Sequence, residues 1–102
     1  MIELLALPSW NTPPRSLDDW SAAFAERGYP PRSAREDADE VWLEVPALRV
    51  RGLAVLEGPH VTAINFELHD PDPDAARLVE DTAAALGWEV HPDEEDEDVE
   101  ED

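Results

Sequence analysis

The stretch "HDPDPD" (69–74) sets three aspartates at alternate positions beside a histidine. That is the spacing of a hard-cation site. Asp70, Asp72 and Asp74 would stand at positions 1, 3 and 5 of a calcium loop, with Asp81 at position 12. Two details oppose this. The sixth position, which needs glycine, is Ala75, and the twelfth is an aspartate, shorter than the usual bidentate glutamate. Residues 75–86 are also strong helix formers. The same residues serve better as a helix start. Asp72 suits the N-cap and Pro73 the first helical position. Asp74 meets the positive end of the helix dipole. Arg77 has the spacing to pair with Asp74 and Asp81. Architecture is therefore the preferred reading of this stretch.

A second metal arrangement would use His69, Asp70 and His91. Two imidazoles and a carboxylate can hold zinc or iron. It requires the last strand to run beside the strand that ends at His69. The spacing matches no known ligand motif, so exposed strand ends are the preferred reading, and no cofactor is expected. Covalent catalysis lacks its parts. Ser9, Ser16, Ser21 and Ser33 lie in no nucleophile-elbow motif and beside no histidine. There is no cysteine, and the four glycines are scattered rather than gathered in a phosphate loop.

Charge narrows the choice of partner. The 102 residues carry 26 acids against seven basic residues, all arginine, for a net charge of −19. Without the nine acids of the C-terminal ten residues, 17 acids remain against the seven arginines. The acidity thus belongs to the body as well as to the tail. Direct nucleic-acid binding is disfavoured, because its affinity comes from cations on phosphate. An anionic membrane surface is disfavoured for the same reason. A basic protein is the macromolecular partner such a charge suits. The N-terminus lacks a signal-peptide pattern and no apolar run is long enough to span a bilayer, so a cytoplasmic protein is expected.

Those side chains need elements to position them. "IELLAL" (2–7) reads as a buried strand. "SLDDWSAAFAERG" (16–28) reads as a helix with a capping box from Ser16 to Asp19 and an apolar stripe of Leu17, Trp20 and Phe24. Trp10, in the proline-rich loop between them, is expected to cover one edge of the core. Residues 29–39 read as a polar connection. Three strands follow, at 41–45, 48–56 and 61–69. The middle one changes phase at Gly52, which predicts a bulge there. A two-residue turn at Pro46-Ala47 would set Val45 against Leu48 and Glu44 against Arg49. Residues 72–87 form the second helix, with Ala75, Val79, Thr82, Ala83 and Leu86 inward. "WEVH" (88–91) is a last strand.

The expected fold is a single α+β domain over residues 1–92, in β-α-β-β-β-α-β order. It has a mostly antiparallel sheet and both helices on one face. Residues 93–102 are expected to be a disordered acidic tail. The α-β-β-β-α middle shares its element order with double-stranded-RNA-binding domains, but the charge argues against the matching function.

With the phase change at Gly52, an apolar patch falls on the outer sheet face. Trp42, Arg51, Ala54, Leu56, Val61 and Ala63 are its candidate interface residues, and homo-oligomerisation the use. The acids of the tail (Asp93, Glu94, Glu95, Asp96, Glu97, Asp98, Glu100, Glu101 and Asp102) form a candidate dock for a basic protein. The expected function is a non-catalytic protein-binding or regulatory module that self-associates. The alternatives are an acidic mimic or inhibitor of a nucleic-acid-binding protein, and a metal-dependent enzyme built on His69, Asp70 and His91.

Overall fold

The computed structural model describes residues 2–69 and 73–92. In chain order the elements are β1 (Ile2–Pro8), α1 (Leu17–Glu26), β2 (Arg32–Asp37), β3 (Glu40–Val45), β4 (Val50–Glu57), β5 (His60–Leu68), α2 (Pro73–Ala85) and β6 (Trp88–Pro92). The six strands form one antiparallel sheet in the order β2-β3-β4-β5-β1-β6. Both helices pack on one face, as the α+β reading requires. Among the described residues no helix is long and apolar enough to cross a membrane.

The helices form where local signals are strongest. Ser16 Oγ accepts from the Asp19 backbone N–H, and an Asp19 carboxylate oxygen accepts from the Ser16 N–H, closing the capping box. Gly28, at φ 88°, ends α1. The Tyr29 N–H then donates to Phe24 O and the Gly28 N–H to Ala25 O, the two bonds of a Schellman cap. Trp20 and Phe24 face the sheet and are fully buried. Trp20 stands edge-on to Trp88 at 5.1 Å and tilted to Phe66 at 5.9 Å. From α2, Ala75, Leu78, Val79, Thr82 and Ala83 complete the core. Asp72, the expected N-cap of α2, lies outside the described residues.

Four features depart from the sequence reading. First, the connection at 29–39 contains β2, an edge strand with all six residues exposed. It has no apolar face to bury, so periodicity could not reveal it, and the element order gains a fourth consecutive strand. Second, the β3–β4 turn is wider than two residues. Pro46–Leu48 forms a single 3-10 turn closed by Arg49, and Val45 pairs with Val50. Proline fixes φ near −65°, which a primed two-residue hairpin turn cannot use. Third, the bulge is not at Gly52. Val55 pairs with Ala63 and Leu56 with Val61, so the extra residue is Thr62, on β5. Strand β4 keeps strict alternation, with Val50, Gly52 and Ala54 inward. Fourth, Trp10 does not cover the core. It sits in a turn closed by the Thr12 N–H donating to Ser9 O, and its side chain is 92% exposed.

Candidate functional site

Among the described residues, no helix covers the second face of the sheet. Side chains alternate along each strand, so the register fixes what that face presents. One row across the sheet reads Arg32, Glu44, Arg51, Glu67 and Glu3, from β2 to β1. The next row reads Ala34, Trp42, Leu53, Asn65, Leu5 and His91. A third contains Glu40, Val55 and Ala63. The face is therefore charged along one margin and apolar through its middle. Trp42, Leu53, Ala63, Leu5 and Leu7 are half-buried, and Val55 is exposed.

Trp42 is clamped onto this face from two sides. Its indole N–H donates to Glu36 Oε1 of the edge strand at 3.1 Å. The guanidinium carbon of Arg51 lies 4.3 Å from the ring centroid, a cation–π contact. Arg51 Nε in turn donates to Glu67 Oε1 at 3.0 Å. Arg32 Nη2 donates to Glu44 Oε1 at 3.2 Å across β2 and β3. Asn65 stands in the middle of the apolar band, and its buried Oδ1 has no hydrogen-bond partner among the described residues.

The charged margin opens into a cleft at the β3–β4 turn. Its volume is about 400 Å³, and Arg32, Glu44, Pro46, Arg49, Val50, Arg51 and His69 line it. His69 Nε2 is 3.7 Å from Glu67 Oε1, so Glu67 serves both Arg51 and His69.

The structure divides the six expected interface residues. Trp42, Arg51 and Ala63 lie on the open face. Ala54 and Val61 are buried beneath the helices, and Leu56 packs against the same core. This correction follows from the bulge. With the extra residue at Thr62, small Ala54 faces inward and large Leu53 and Val55 face outward. Leu53 and Val55 are thus the open-face apolar residues that the sequence reading missed. Leu5 and Leu7 were hidden by a run that is apolar on both faces.

His69 and His91 are not brought together. Strand β1 lies between β5 and β6, and His91 stands in the row of Asn65, four residues short of His69. Standard strand spacings place the two roughly 16 Å apart. His91 Nε2 instead lies 3.1 Å from Glu89 Oε1. Asp70 lies outside the described residues. Among those described, no three histidine or acidic residues are grouped to hold a metal ion. The acidic tail at 93–102 also falls outside them.

No protein-family model, no curated protein and no solved structure matches this chain.

Proposed function

We propose that the protein is a non-catalytic protein-binding module that self-associates through the open face of its sheet. The observation that carries this reading is the apolar band of Trp42, Leu53, Val55 and Ala63, which no helix among the described residues covers. Contiguous apolar surface on an otherwise strongly charged protein marks an interaction site. Trp42 is a suitable anchor, since an indole held by two contacts has little conformational freedom left to lose on binding.

The charged margin favours a second copy of the same chain as the partner. Along β2, β3, β4 and β5 the charges run Arg32, Glu44, Arg51, Glu67. A two-fold axis parallel to the strands stacks two sheets face to face and reverses the strand order. The reversed row sets Glu67 over Arg32 and Arg51 over Glu44. The row is thus complementary to itself. Glu3, next in line, falls outside the four-strand overlap.

The test is Leu53→Lys. It moves the net charge toward zero, so a loss of association cannot come from added repulsion between copies. Analytical ultracentrifugation is expected to show a mass of at least two chains for the wild type and one chain for the variant, with the same circular dichroism spectrum. A wild type that stays monomeric up to ~100 μM would remove the reading, because a specific homodimer should be populated there.

A further inference from the structure

We propose that the cleft at the β3–β4 end of the open face binds a small oxyanion, the phosphate or carboxylate group of a small molecule. Its lining includes Arg32, Arg49 and Arg51. The chain has seven arginines, no lysine and 26 acids. Three of its few cations around one opening run against that composition. Each guanidinium presents five N–H donors in a planar fork, which fits two oxygens of a carboxylate or phosphate at once.

The acids beside Arg32 and Arg51 set those two forks in place without covering them. The Arg32 contact to Glu44 and the Arg51 contact to Glu67 each engage one nitrogen. The arginine side chains remain 72% and 44% exposed, so a solute can reach them. Pro46 and Val50 add an apolar wall. A few convergent polar groups beside apolar lining is the common composition of a ligand site.

Arg49 supplies an independent observation. It closes the 3-10 turn at φ 55° and ψ 42°, in the left-handed region. Its N–H donates to Pro46 O, and its carbonyl accepts from the His69 N–H. Glycine adopts that conformation without penalty, and asparagine or aspartate at a small one. An arginine there is held at a cost in backbone energy, and strain of this kind clusters at ligand clamps. The turn could be made more easily by glycine, yet the residue that closes it is an arginine, and that residue lines the cleft.

The experiment is a titration of the full-length protein with inorganic phosphate and, separately, with citrate. Ionic strength is held constant with potassium chloride, because a protein of this charge responds to salt in general. A saturable rise in the thermal midpoint is expected. A change in tryptophan emission should accompany it, since Arg51 lies on the Trp42 ring. Whichever anion binds more tightly identifies the oxyanion.

Arg49→Gly retains the turn and is expected to bind at least about tenfold more weakly, the loss of one charge-assisted contact. Arg32→Gln, at an exposed position, should weaken binding similarly. Arg77→Gln, on α2, should leave it unchanged. The proposal is overturned if neither anion gives a saturable response, or if Arg49→Gly and Arg32→Gln both respond like the wild type. It is also overturned if a peptide of residues 93–102 binds more tightly than either anion, which would make the chain's own acidic segment the occupant.

Discussion

Gly52 shows how a single residue turns this sheet over. A methyl group built on it would meet the Phe66 ring at 2.6 Å and an Ile64 methyl at 2.7 Å. The ring takes the space that a side chain at position 52 would fill, so the middle of the buried face of β4 holds Gly52 and Ala54 while Leu53 and Val55 face out. Size and hydrophobicity, read from the sequence, assign those faces the other way. The residues of the open face were accordingly half legible. Trp42 was placed because β3 alternates plainly, and Arg51 because it precedes the supposed phase change at Gly52. Ala54 and Val61 were misplaced because the bulge lies at Thr62 and not at Gly52, a position the apolar pattern does not mark. Gly52→Ala is therefore expected to destabilise the fold by about 1–3 kcal/mol, since the Phe66 ring must leave its position. Urea denaturation would show this as a lower midpoint at unchanged slope. An unchanged midpoint would mean that the ring moves freely and does not fix the register.

At the scale of elements, legibility followed how local each determinant is. Helix α1 could be read because its capping box, stripe and terminal glycine all lie within thirteen residues. The inward stripe of α2 was equally plain, and Ala75, Val79, Thr82, Ala83 and Leu86 are all buried. Strand β2 was not legible, because "RSARED" is exposed on both faces and is defined only by pairing with β3. The β3–β4 register was not legible either. It depends on two more residues in the turn than the apolar pattern suggests. Within α2, one residue departs from its surroundings. Thr82 is completely buried, and its hydroxyl has no hydrogen-bond partner among the described residues. Burying such a group without a partner costs about 1–3 kcal/mol, and valine has nearly the same shape. Thr82→Val is thus expected to raise stability by about 1 kcal/mol in chemical denaturation. A loss of stability would show that the hydroxyl is bonded in solution, most simply to water.

At the scale of the whole molecule, the two proposed uses of the open face meet at the same residues. Arg32 and Arg51 lie both in the self-complementary row and in the lining of the cleft. An oxyanion held by these guanidiniums would occupy the donors that face Glu67 and Glu44 of a second copy. It would also bring negative charge to a surface that must approach another copy of a chain at −19. Anion binding and self-association should then oppose each other. Linkage requires the opposition to be reciprocal, with a coupling of 5- to 150-fold typical of such systems. Replacing chloride with phosphate at constant ionic strength is therefore expected to weaken self-association by about tenfold, read by sedimentation equilibrium. Arg49→Gly should remove the phosphate effect while leaving association in chloride intact, because Arg49 lines the cleft but does not belong to the row. If phosphate binds and the mass distribution stays the same, the charged row takes no part in the contact. Association would then rest on the apolar band alone, where Leu53→Lys acts.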